Sequence, residues 1–224
     1  MDTVAFKEAG RSQVSFLAPA EKRVLVWLAR RTPRRINSDH LTALGLLSLM
    51  GAGLSYWYAR HHRSGLPMAD LFLALNWLGD SLDGTLARVR SRQRPRYGFY
   101  ADHVVDAFGT LFLISGLALS GYMSRPIAAA LLTAYYLLSI EVYLATYTIG
   151  TFQLSFWKFS PTELRILLAI GNIALLYIPI VQLAGSTYRL YDVGGVIGVT
   201  GLVLTLPTSV VSHTVYLYRA ERLP

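Results

Sequence analysis

Four aspartates fall in two close pairs in the stretch DSLDGTLARVRSRQRPRYGFYADHVVD, which runs from Asp80 to Asp106. Asp80 and Asp83 are three residues apart, and Asp102 and Asp106 are four apart. On a helix either spacing puts both side chains on one face, roughly 5–6 Å apart. The flanking sequence is apolar enough for a membrane, where one carboxylate at mid-depth costs about 2.5–3.5 kcal/mol on insertion scales. Four of them in 27 residues demand a strong partner. Hard oxygen ligands without His or Cys select Mg²⁺ or Mn²⁺, or else Ca²⁺. This many carboxylates can hold two ions close together, as sites of phosphoryl transfer do. A metal in a membrane cleft points to chemistry on a charged lipid.

The residues around the acids fit the same chemistry. Gly84 directly follows the second aspartate, where glycine costs a helix ~1 kcal/mol against alanine. A wall without a side chain lets a ligand approach the backbone. Gly98 opens the next helix near the same level. Arg88, five residues after Asp83, is long enough to reach a phosphate beside the metals. Taken singly, each residue has a structural explanation: a helix cap, a partner for the neighbouring arginines, or close helix packing. Four acids and two glycines together do not. His103, beside Asp102, reads as context and not as a ligand.

The elements that must position these groups are helices. The chain has 224 residues, 53% of them hydrophobic and 15% charged, with a mean hydropathy of +0.40. Soluble domains carry about 25% charged residues. Six apolar segments, at about residues 41–59, 68–89, 99–122, 127–148, 161–184 and 193–218, each approach the ~20 residues that span the hydrocarbon. The fold expected is an all-α integral membrane bundle of six transmembrane helices. Residues 38–224 form that domain and residues 1–37 a cytoplasmic tail with an interfacial helix. The helix, PAEKRVLVWLARR at residues 19–31, carries Val24, Leu25, Trp27 and Leu28 between basic flanks. Residues 1–18 read as a loose tail. The short basic loop between the second and third spans makes those helices antiparallel neighbours whose acids converge.

Charge sets the orientation. Of the 21 Lys and Arg residues, 17 lie in the N-terminal region, the second–third loop, the fourth–fifth loop and the C-terminus. The opposite loops hold Arg60, Arg63, Arg125 and Arg189. This asymmetry puts both termini and the acidic helix ends in the cytoplasm, at the inner (plasma) membrane if the cell is bacterial. A net charge of +8 suits anionic lipid. No nucleic-acid recognition module is visible. The absence of cysteine excludes disulfides and thiolate metal sites. The opening MDTVAFKEAGRSQ has no apolar core beside a basic start, so no secretory signal is expected.

The pattern Asp80-x2-Asp83-Gly84-x2-Ala87-Arg88, nine further residues, then Gly98-x3-Asp102-x3-Asp106, resembles the signature of the CDP-alcohol phosphatidyltransferase family. Eight positions match in order and at the family's spacing. Six spans and an interfacial N-terminal helix are similar to the family over most of the chain. The segment PRRINSDHLT, at residues 33–42, resembles the family's entry into its first span less closely. The resemblance implies that Asp80, Asp83 and Asp102 bind metal, with Asp106 sharing a metal and serving as the general base for the acceptor hydroxyl. It implies that Asp83, Gly84, Ala87, Arg88 and Gly98, with Asn37 and Thr42, line the site for CMP and the diphosphate. It also implies two Mg²⁺ or Mn²⁺ ions, a CDP-linked donor such as CDP-diacylglycerol, and a homodimer.

Residues for the acceptor alcohol must be sought among the other polar groups in apolar segments. Glu141 is an intramembrane acid in the fourth span and is either functional or paired with an Arg or Tyr of another helix. Glu163 belongs to Ser160-Pro161-Thr162-Glu163, which also reads as a capping box with proline at the first helical position. Arg165 follows at the cytoplasmic end and can hold an acceptor phosphate, with Lys158 a further candidate. His213 reads as a packing residue.

The function expected is metal-dependent transfer of a phosphatidyl group from CDP-diacylglycerol to a small alcohol, with release of CMP. The alternative is headgroup transfer from a soluble CDP-alcohol to a lipid alcohol. Two other classes make distinct demands. A divalent-cation transporter needs acids spread across the membrane depth, and an intramembrane prenyltransferase needs a second aspartate-rich motif.

Overall fold

The computed structural model describes residues 10–12, 18–153 and 161–221, with side chains described over 18–150 and 161–221. Among these residues the chain is almost entirely helical: α1 (Ala18–Arg31), α2 (Ser38–Ala59), α3 (Gly65–Val89), α4 (Pro95–Ser120), α5 (Arg125–Ile149), α6 (Pro161–Tyr177) and α7 (Leu190–Ala220). Local chemistry sets the ends. Asn37 caps α2, accepting from the His40 backbone N–H at 2.9 Å, which satisfies a donor the helix leaves unpaired. Prolines open α4, α5 and α6 in the first turn, where a missing N–H is harmless. Gly121 and Gly150 close α4 and α5 at φ +84° and +77°, a left-handed conformation that glycine adopts without strain.

The α2 helix is the spine. It packs against both α3 and α4, and those two pack on α2 far more than on each other. Small residues make the approach possible. A Cβ on Gly116 would lie 2.0 Å from the Gly53 carbonyl oxygen, and one on Gly79 would lie 2.6 Å from that of Leu41. The backbones therefore touch, as small residues allow in membrane bundles. The core on this spine includes Leu49, Ala52, Tyr56, Leu66, Leu73 and Leu117. The expectation that α3 and α4 pack side by side is corrected: α2 is the surface they share, while their acidic ends still converge.

Further packing attaches α6 to α3 and α5 to both α4 and α7. Two buried tyrosines and an asparagine knit the bundle. Asn172 Oδ1 accepts from Tyr56 Oη at 2.9 Å and Tyr191 Oη at 2.5 Å, while its Nδ2 donates to Asp70 at 2.6 Å. One asparagine thus ties α6 to α2, α7 and α3, and gives the intramembrane Asp70 a donor.

The α4, α5 and α7 helices are each long and apolar enough to cross a membrane, which marks a membrane protein. Their apolar faces stand open, as at Phe108, Leu144, Ile197 and Leu204. The expected fifth span is shorter than its apolar run. The α6 helix has 17 residues, about 25 Å at 1.5 Å each. Residues 180–183 and 186–189 then form an antiparallel hairpin. Ala184 and Gly185 turn it, both at positive φ, as a two-residue hairpin loop requires.

A helix, α1, forms where the interfacial helix was expected, but its apolar residues divide. Leu25 and Ala29 are buried with Leu41, Leu82 and Leu86, while Val24 and Trp27 remain about half exposed. The N-terminal tail is not wholly without structure: residues 10–12 pair in parallel with residues 151–153.

Candidate active site

Four helices bring their polar ends together. The α3 helix delivers Asp80 and Asp83 near its last turns, and α4 delivers Asp102 and Asp106 near its first. One carboxylate oxygen from each of Asp80, Asp102 and Asp106 lies within 4.8 Å of the other two. Opposed ligands in an octahedral Mg²⁺ site are about 4.2 Å apart, given bonds of 2.0–2.1 Å. The three carboxylates therefore fit a single hard cation with small movements. Like charges so close are costly unless a cation joins them.

Asp83 stands beside this trio and not within it. Its Oδ2 accepts from Thr42 Oγ1 at 2.6 Å and its Oδ1 from the Gly84 N–H at 2.5 Å. Ser38 Oγ donates to the Asp83 carbonyl at 2.9 Å. The first turn of α2 thus holds Asp83, and Thr42 enters the site through it. The expected convergence of four acids is refined to three, with the fourth oriented by α2.

Around the acids the surface is open where glycine stands. A Cβ on Gly98 would meet nothing within 4 Å, and one on Gly84 would meet only the Arg88 guanidinium, at 3.4 Å. Arg88 is exposed and donates to Thr85 Oγ1 at 3.1 Å. Ala87 is half-buried on the same end of α3. Asn37 has the task of capping α2. Two further arginines brace the rim. Arg90 donates to the carbonyls of Ile36, Thr32 and Pro33 at 2.5, 2.7 and 3.0 Å, and Arg94 pairs with Asp39.

On the far side α6 contributes Arg165. Its Nη2 lies 2.5 Å from Asp80 Oδ2 and its Nε donates to Asn76 Oδ1 at 2.7 Å. Asn76, 2% exposed, also donates to the Gly45 carbonyl at 3.0 Å. Sequence reasoning missed Asn76, although a polar residue four before Asp80 in an apolar helix is a visible signal. It also missed the α5 wall. Tyr143 meets His103 edge-on at 4.7 Å between ring centroids, and Tyr136 Oη donates to the Ala107 carbonyl at 3.0 Å.

The remaining acceptor candidates disperse. Glu141 is committed to α7: its Oε2 accepts from Ser209 Oγ at 2.8 Å and its Oε1 lies 2.5 Å from His213 Nδ1. Among the described residues its partners are His213 and Ser209, and not an Arg or Tyr. Glu163 sits in the first turn of α6, where the helix dipole favours a carboxylate. Lys158 and Ser160 lie outside the described residues.

A carboxylate trio beside backbone-lined openings and a guanidinium suits transfer of a phosphate-bearing group. The comparison with known families agrees. The family model for CDP-alcohol phosphatidyltransferase matches residues 36–207. The chain therefore belongs to the CDP-alcohol phosphatidyltransferase family, and it is an enzyme that transfers a phospho-alcohol group from a CDP-alcohol. No curated protein matches the chain significantly.

Proposed function

We propose that this enzyme transfers a phosphatidyl group from CDP-diacylglycerol to the hydroxyl of a small alcohol and releases CMP. The observation that carries this reading is the meeting of Asp80, Asp102 and Asp106 next to the open backbone of Gly84 and Gly98. Asp80, Asp83, Asp102 and Asp106 would hold Mg²⁺ or Mn²⁺, two ions in all, and these would neutralise the diphosphate. Gly84, Ala87, Arg88 and Gly98 line the nucleotide side, and the exposed Arg88 reaches a donor phosphate. Asp106 takes the proton of the acceptor hydroxyl. The hydroxyl oxygen bonds to the phosphorus that bears diacylglycerol, and the bond from that phosphorus to the CMP oxygen breaks.

Arg165 lies across from the nucleotide side and holds a phosphate on the acceptor, which favours an alcohol phosphate over an uncharged alcohol. The helices α2 to α7 form six spans, with termini and active site cytoplasmic, since 17 of 21 basic residues gather on that side. The test is CMP release by purified protein given labelled CDP-diacylglycerol, Mg²⁺ or Mn²⁺ and a panel of alcohols. A second arm pairs soluble CDP-alcohols with diacylglycerol. Turnover confined to alcohol phosphates is expected; turnover confined to the second arm would reverse the direction of transfer.

A further inference from the structure

A carboxylate outside the aspartate cluster gathers three donors on one oxygen. Glu21, in the first turn of α1, accepts at Oε1 from Trp77 Nε1 at 2.7 Å, Thr162 Oγ1 at 2.8 Å and Ser81 Oγ at 3.4 Å. The donors sit at telling positions. Trp77 is three residues before Asp80 on α3, Ser81 one after it, and Thr162 three before Arg165 on α6. Residues three apart share a helix face. The clasp therefore lies within about one turn, roughly 5 Å, of the Asp80–Arg165 pair on both helices.

The need for a clasp is visible in the packing. A groove of about 390 Å³ is lined by α1, α3 and α6, with Val24, Leu73, Trp77, Arg165 and Ile166 among its walls. The start of α6 is therefore not close-packed on α1. Polar bonds at the head of the groove span the gap, and a carboxylate receiving N–H and O–H donors makes stronger bonds than a neutral acceptor.

We propose that Glu21 is a positioning residue for the acceptor side of the active site: it fixes the start of α6 to α3 and so aims Arg165. This rests on the reading of Arg165 as the acceptor-phosphate residue. Glu21→Leu keeps the bulk and removes the acceptor, whereas Glu21→Gln keeps a carbonyl oxygen for the donors.

The sequence has no cysteine, so spin labels can be placed cleanly on the full chain at Arg23→Cys and Leu167→Cys, both exposed. A narrow inter-label distance distribution is expected with Glu21 and with Gln, and a distinctly broader one with Leu. In the label-free protein, Glu21→Leu should raise the acceptor KM about fivefold, the scale of one lost hydrogen bond, with donor KM and kcat nearly unchanged. Glu21→Gln should restore most of that loss. An unbroadened distribution for Leu would overturn the clasp. Broadening without an acceptor-KM effect, or with an equal effect on both substrates, would overturn the positioning role. If the unmodified protein released no CMP with any substrate pair, the function proposed above would fail, while the label distances would still decide the clasp.

Discussion

Asp106 and Asp83 illustrate how one residue type takes different tasks in one site. Asp106 joins Asp80 and Asp102 in the carboxylate trio, while both oxygens of Asp83 accept hydrogen bonds from Thr42 and the Gly84 backbone. As the proposed base, Asp106 should be indispensable to turnover and dispensable to nucleotide binding. Asp106→Asn is expected to lower kcat by about 10²–10⁴-fold, the usual worth of a positioned base, with donor affinity by titration little changed. Near-normal turnover would remove Asp106 from that role. Because the trio fits a hard cation, chelation should abolish CMP release, and Mg²⁺ or Mn²⁺ should restore it. Activity that survived exhaustive chelation would contradict this.

At the scale of helices, glycine decides where α2, α3 and α4 lie. Gly116 faces the Gly53 carbonyl so closely that no Cβ fits, whereas Gly98 faces open space. Two substitutions to alanine should therefore behave oppositely. Gly116→Ala forces backbones apart and should destabilise the protein by about 1–3 kcal/mol, as overpacking generally does. Its unfolding temperature in detergent should fall. Gly98→Ala should leave that temperature unchanged and weaken donor binding, since its added methyl would enter the open space proposed for the nucleotide. Equal thermal effects would mean that the two glycines are not divided between packing and site.

For the whole molecule, the basic segments and the acids meet at one end. Arg90 reaches Thr32, Pro33 and Ile36, Arg94 reaches Asp39, and Arg165 reaches Asp80. The other intramembrane acids are bound elsewhere, Asp70 to Asn172 and Glu141 to His213 and Ser209. An ion path would need acids graded across the depth, and the site here is terminal. Single cysteines at Arg92 and Glu221 should react with a membrane-impermeant thiol reagent from the cytoplasmic side. Those at His62 and Arg189 should react from the opposite side. Any other pairing would revise the six-span arrangement.

The reaction class and the membrane class were legible in the pattern of residues alone. Carboxylate spacing follows directly from helical periodicity, and long apolar runs have few alternatives, so a convergence of acids was legible in residues 80–106, although four were expected to meet and three do. Five of the six expected apolar segments match helices closely, and the fifth, at residues 161–184, was overextended because its apolar run continues past Tyr177 into a hairpin turned at Ala184–Gly185. The folded chain alone shows that α3 and α4 pack mainly on α2, that Thr42 holds Asp83, that Arg165 pairs with Asp80 and Asn76, and that Glu141 of α5 bonds to α7. Those facts depend on which faces meet between segments distant in sequence. Backbone contact at Gly53, Gly79 and Gly116 fixes those faces, and no local pattern records it.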